Sequence, residues 1–212
     1  MAFAARRRDP APIHRPGPRG LRTLLVIDRP YRVLVVCTAN QCRSPLAAAT
    51  LARRMEAAGV RAETFSAGTN VGVSAPATPE AVNAARELWF DIADHKSAPL
   101  DREAVGGADL VLGMARAHAR EAVVLESAAY WRTFTLKELV RRGEARPRGA
   151  ETFSDWLWAL ATERSPEELL GMSPADDVAD PIGQPLGVFR RTLTELDDLA
   201  DRLVRVAWPK SS

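Results

Sequence analysis

Residues 32–36 hold an unbroken apolar run, Val33-Leu34-Val35-Val36, three of whose four members are β-branched and none of which is polar. A strand of that composition must be covered on both faces, as happens in a parallel sheet flanked by helices. Directly after it comes the segment Cys37-Thr38-Ala39-Asn40-Gln41-Cys42-Arg43-Ser44-Pro45. Ser44 is expected to cap the N-terminus of a helix with Pro45 in its first turn. Ala47, Leu51, Met55 and Ala58 then share one helical face, and Gly59 ends the helix. The chain therefore opens on a strand, a tight loop and a helix.

The same alternation recurs along the chain. Residues 62–66 read as a second strand ending in Ala67-Gly68, and Thr78-Pro79-Glu80 starts a helix that runs to about Phe90. Residues 109–114 form a third strand, followed by a helix over 116–125. A fourth strand over 132–136 leads into a short helix over 137–142. Phe189, Leu193, Leu196, Leu199, Leu203 and Val206 make one apolar stripe on a final helix. This order predicts a single α/β domain, a parallel sheet with helices on both faces. Trp89 and Phe90 are expected in its core, and His118 on a solvated helix face.

The chain has 212 residues, of which 46% are hydrophobic, which suits one well-buried domain. Its net charge of +2 comes from the N-terminus, where residues 1–22 hold six Arg and one Asp, so the rest is slightly acidic. A basic nucleic-acid footprint on the folded body is thus not expected. Residues 1–22 read as a disordered basic tail and 23–208 as the folded domain, with residues 24–27 an extra edge strand. Residues 143–177 form a variable or inserted segment carrying Trp156 and Trp158 on an amphipathic helix, to be read as an extra packed helix rather than a lid. No apolar run reaches the roughly 20 residues of a membrane span, so membrane insertion is not expected. Two cysteines, Cys37 and Cys42, make no disulfide framework and suit a reducing cytoplasm. They also fall short of a zinc site, with no histidine nearby to complete four ligands.

The loop between the first strand and first helix points to chemistry. Successive backbone amides in such a loop, with the positive end of a helix dipole, create a site for a tetrahedral anion. Thr38, Ala39, Asn40, Gln41, Cys42 and Ser44 would supply amides, and Asn40 tolerates the left-handed backbone such a wrap needs. A cysteine at the base of such a loop shares its positive potential, which favours the thiolate, so Cys37 is the candidate nucleophile. Arg43, separated from it by five residues, can hold two equatorial oxygens with its planar fork. Ser44 can donate to the sulfur, cap the helix, or both. Near the C-terminus, Asp180-Pro181 supplies a candidate general acid. Asp176 and Asp177 are rivals, but the proline and the adjoining final helix favour Asp180.

With these residues in view, the chain resembles the low-molecular-weight protein tyrosine phosphatases over roughly residues 31–207. Besides the cysteine–arginine loop and the Asp-Pro pair, residues 66–69 (SAGT), 95–97 (HKS), 110–114 (LVLGM) and 134–139 (FTLKEL) fit that pattern. The resemblance implies a four-stranded parallel sheet in the order 2-1-3-4. It also implies Cys37 as nucleophile, Arg43 as phosphate ligand, Asn40 and Ser44 as organisers of the loop, and Asp180 as general acid. No metal or other cofactor is implied, and the substrate would be a phosphorylated protein, with a bacterial tyrosine kinase as a default partner. His95 would make a structural hydrogen bond beside the loop. Two departures concern the leaving group. Ile182-Gly183 follow Pro181 and Asn70-Val71-Gly72 follow the second strand where tyrosine-directed relatives carry aromatic walls. Gln41 is neither their bulky aliphatic residue nor the threonine of the arginine-phosphatase branch. A phosphoarginine phosphatase, an arsenate reductase of the same fold and a non-catalytic phosphate-binding module stay open as alternatives.

Overall fold

A computed structural model describes residues 29–209. The basic tail and the edge strand expected at residues 24–27 lie outside the described residues. Four strands, β1 (Tyr31–Cys37), β2 (Ala62–Gly68), β3 (Leu110–Gly113) and β4 (Thr133–Thr135), form one sheet in the order β2-β1-β3-β4. All three pairings are parallel, with Val35 of β1 opposite Ser66 on one side and Leu112 on the other. Among the described residues, seven α-helices connect and cover them: α1 (Arg43–Ala57), α2 (Pro79–Glu87), α3 (Arg102–Gly107), α4 (Arg116–Leu125), α5 (Leu136–Ala145), α6 (Phe153–Thr162) and α7 (Leu186–Ala207).

The apolar run of β1 explains itself in this frame. Val33, Val35 and Cys37 face the larger core with α1, α2, α5, α6 and α7, whereas Leu34 and Val36 face a smaller core with α3 and α4. Alternate side chains of a strand point to opposite faces, so a central strand covered twice has no place for a polar residue. Each fully buried Leu or Val here contributes about 1.5–3 kcal/mol relative to its exposed state. The stripe of α7 is buried at Phe189, Leu193, Leu196, Leu199 and Leu203, but its last step falls on Val204, while Val206 is half-buried.

Three local expectations are corrected. The cap of α1 is Cys42, and Ser44 lies inside the first turn. α2 stops at Glu87, and Trp89 takes a positive φ of 64° with its ring turned outward at 95% exposure, so only Phe90 packs against the core. His118 is buried rather than solvated, at 5% exposure. The segment 146–170 packs against the body. Trp156 is fully buried and its Nε1 donates to the Arg146 carbonyl at 2.9 Å, while buried Arg164 donates to the carbonyls of Thr133 and Tyr130.

Candidate active site

Strand β1 ends at Cys37 and α1 begins at Arg43, so residues 38–42 turn the chain from the C-terminal edge of the sheet into a helix N-terminus. Ligand sites of open α/β sheets fall at this edge. Among the described residues, no side chain caps α1, so the amides of its first turn remain for an anion. Asn40 organises the turn. It adopts φ 55°, is fully buried, donates from Nδ2 to Ser44 Oγ (2.9 Å) and Ser66 Oγ (2.8 Å), and accepts at Oδ1 from the Ala98 amide (2.9 Å). His95 Nε2 lies 2.6 Å from the Asn40 carbonyl, the structural bond expected of it. Because Ser44 Oγ already accepts from Asn40, its own hydrogen is free to point at Cys37 Sγ, 3.0 Å away.

The neighbouring strand end holds the loop from outside. Thr69 N donates to the Cys37 carbonyl (3.0 Å), Asn70 N to that of Thr38 (2.9 Å) and Thr78 N to that of Gln41 (3.0 Å). Gly68, paired with Cys37 in the sheet, allows this approach. A Cβ there would stand 2.6 Å from the Thr38 carbonyl oxygen. Within the SAGT segment, Ser66 and Gly68 thus serve the loop directly.

Arg43 is buried at 6% exposure and reaches the C-terminal acidic segment. Its Nη1 donates to the Val178 carbonyl at 3.2 Å, and its Nη2 ion-pairs with Asp180. The other carboxylate oxygen of Asp180 accepts from the Ile182 amide at 3.2 Å. Its rivals are occupied elsewhere. Asp176 is buried, and although burial alone would raise its pKa, Arg141 and Arg116 hold the carboxyl below the usual range. Asp177 accepts from the amides of Arg116 and Ser173. Cys37, Thr38, Ala39, Gln41, Cys42, Arg43, Asp180 and Ile182 together line a pocket of about 120 Å³. Of the expected site residues, Asn40 and Ser44 stand behind this wall, supporting it. Burial pushes the Cys42 thiol up to about 11, partly offset by its contact with Thr78 Oγ1 at 3.4 Å.

Residues 32–146 match the family model described as low molecular weight phosphotyrosine protein phosphatase. The chain belongs to that family. Among its relatives is a protein named protein-arginine-phosphatase from Geobacillus stearothermophilus, 33% identical over 174 residues, which is 82% of this chain and 94% of that one. A probable low molecular weight protein-tyrosine-phosphatase, EpsP, from Ralstonia solanacearum is 35% identical over 107 residues, 50% of this chain and 71% of that one. The low molecular weight protein tyrosine phosphatase structure from T. tengcongensis superposes with a TM-score of 0.62 at 35% identity, covering 82% of this chain and 98% of the other. The expected sheet order 2-1-3-4 is that of this phosphatase family's fold. As a member, the chain is a cysteine-dependent phosphatase, a hydrolase of phosphoryl groups.

Sequence reasoning missed one residue at this family site. His118, on α4, lies with Nε2 3.0 Å from Thr38 Oγ1, behind the anion loop. Its only signal was its place four residues after Met114, which directly follows β3, and that puts it on the first turn of the helix leaving the sheet's C-terminal edge.

Proposed function

We propose that this chain dephosphorylates protein substrates, in the first instance at phosphotyrosine, through a phosphocysteine on Cys37. The observation that carries the reading is the convergence of Cys37, Arg43 and Asp180 on one pocket, with Ser44 and Asn40 bonded behind the sulfur. The Cys37 thiolate attacks phosphorus in line, and the P–O bond to the leaving group breaks as Asp180 protonates the departing oxygen. Arg43 and the loop amides from Thr38 to Ser44 hold the equatorial oxygens as charge builds on them. Asp180, now a carboxylate, takes a proton from the water that attacks the phosphocysteine, and phosphate leaves with the thiolate restored. Every group this cycle uses belongs to the chain, so the reading needs no cofactor. The functional unit in this reading is residues 23–208, with 1–22 a basic tail, 143–177 a variable segment, a cytoplasmic setting, and a tyrosine kinase among the candidate partners.

A second reading, phosphoarginine as substrate, is favoured by the mouth of the pocket. Among the described residues, its lining includes Ile182 and Gln41 and no aromatic residue. Each missing aromatic wall forgoes about 0.5–1.5 kcal/mol of stacking on a phenyl ring, roughly 2- to 12-fold in kcat/KM. The arsenate-reductase alternative lacks support in the chain, which has no cysteine beyond Cys42 for a relay. The test is phosphate release from matched phosphotyrosine and phosphoarginine peptides by wild type and Cys37→Ser. Turnover is expected to vanish in the variant while inorganic phosphate still binds. Substantial residual hydrolysis would remove Cys37 from its role, and the ratio of kcat/KM for the two peptides decides the leaving group.

A further inference from the structure

His118 stands outside the loop, and the catalytic cycle above does not use it. Its ring is enclosed, with Nε2 3.0 Å from Thr38 Oγ1. Arg43 Nη2 lies 3.5 Å from the same hydroxyl oxygen. Among the described residues, no group hydrogen-bonds the buried His118 Nδ1. A histidine kept only for packing gains nothing from a bare buried nitrogen, which is unfavourable. The compensating bond here runs to the anion loop.

An Arg43 N–H can only donate, so Thr38 Oγ1 accepts it with one of its two lone pairs and its own hydrogen stays free to point at Nε2. With the hydroxyl turned that way, His118 Nε2 accepts, and a neutral ring carries its proton on Nδ1. We propose that His118 is a positioning residue for Arg43, acting as a neutral imidazole through the Thr38 hydroxyl. The inference rests on the phosphate-binding role given to Arg43. Three contacts orient the free guanidinium: Asp180 and Thr38 on Nη2, and the Val178 carbonyl on Nη1. A substrate dianion competes with Asp180, and the Thr38 and Val178 contacts then keep the fork in plane. Around the ring, Arg43 of α1 opposes a second positive charge, whereas Asp180 and Asp177 of the acidic segment favour one. Burial and Arg43 prevail, and the ring's pKa falls to about 4.

The test uses inorganic phosphate as a competitive inhibitor of the full chain. His118→Phe keeps the ring shape and removes the acceptor. It is expected to raise Ki for phosphate and KM about 5- to 150-fold, the range for leaving a buried polar group without its partner, with an unchanged near-ultraviolet circular dichroism spectrum. His118→Gln, whose carbonyl can accept from Thr38, is expected to return within about threefold of wild type. Thr38→Val should reproduce the loss, and the double variant should be no worse than either single one. Nitrogen NMR of the wild type at pH 7 should show the His118 proton on Nδ1. Unchanged Ki in Thr38→Val, fully multiplicative losses in the double variant, or a proton on Nε2 would overturn the proposal. Arg43→Ala separates the two readings. If it too leaves phosphate binding intact, both fall; if it abolishes binding while His118→Phe does nothing, only the positioning role falls.

Discussion

Three aspartates lie within five residues of one another, and their surroundings give them different work. Asp176 is buried between Arg116 and Arg141, Asp177 ties two backbone amides, and Asp180 alone lines the pocket. Asp180→Ala should therefore slow alkyl phosphates about 10²–10⁴-fold while affecting activated aryl phosphates far less, because only a poor leaving group needs the proton. Asp176→Ala should instead leave half-buried Arg116 and exposed Arg141 without their carboxylate and lower stability by about 1–3 kcal/mol, measured by urea unfolding. Leaving-group dependence in the Asp176 variant, and none in the Asp180 variant, would reverse the assignment. The two cysteines are separable in the same way. With its thiol raised to about 11, Cys42 is protonated throughout the neutral range and gains reactivity only as pH approaches that value. Iodoacetate at pH 7 is expected to label Cys37 alone, with Cys42 labelling rising about tenfold per pH unit above that. Peptide mass spectrometry would read both.

The anion loop owes its shape to the strand beside it. β2 delivers Ser66 to the Asn40 amide and brings Gly68 against the Thr38 carbonyl, and the amides that follow bond back to the loop. Gly68→Ala places a methyl group 2.6 Å from that carbonyl oxygen and 3.0 Å from the Asn40 nitrogen. Backbone must give way, so kcat/KM should fall by at least tenfold for a stability loss of about 1–3 kcal/mol. A variant with wild-type kinetics would show that the loop tolerates the shift. Helix α6 has a different task. Trp156 is buried beneath it and bonded to the Arg146 carbonyl, and the Phe153 ring stacks 4.8 Å from Trp208. Trp156→Ala should cost about 3–5 kcal/mol with little change in kcat per folded molecule.

Stability of the molecule against acid follows from its buried titratable groups. The imidazole of His118 has its folded pKa lowered from 6.5 to about 4. Protonation thus favours the unfolded chain. The stability its neutral burial preserves is complete above pH 6.5 and is lost as pH falls through 6.5 toward 4, by up to about 3 kcal/mol. Asp176, whose folded pKa is lowered, adds a further loss as pH falls below the normal carboxylate range. Urea midpoints of wild type and His118→Gln should differ in slope between pH 6.5 and 4, with the variant the flatter. Parallel curves would mean that the ring is solvated. Among the described residues, no helix is long and apolar enough to cross a membrane.

Local rules were enough for the strand–helix alternation, for the covered centre of the sheet and for the loop that joins it to α1. An unbroken β-branched run, a 3.6-residue stripe and a Cys–Arg spacing all act over a few residues. They place β1, α1, α4 and α7 and put Cys37 and Arg43 at one end of the sheet. Long-range packing decided the rest. Ser44 could cap a helix or face a thiol, and the approach of Asn40 and Cys37 selects the second. α4 carries an ordinary polar pattern, and His118 is buried because the anion loop closes over that turn. Trp89 reads as core, but the early end of α2 turns it outward. Three nearby aspartates are equivalent on paper, and only the reach of Arg116, Arg141 and Arg43 from distant helices separates them. A carboxylate's role depends on which cations surround it, and those cations arrive from residues more than 30 positions away in the chain.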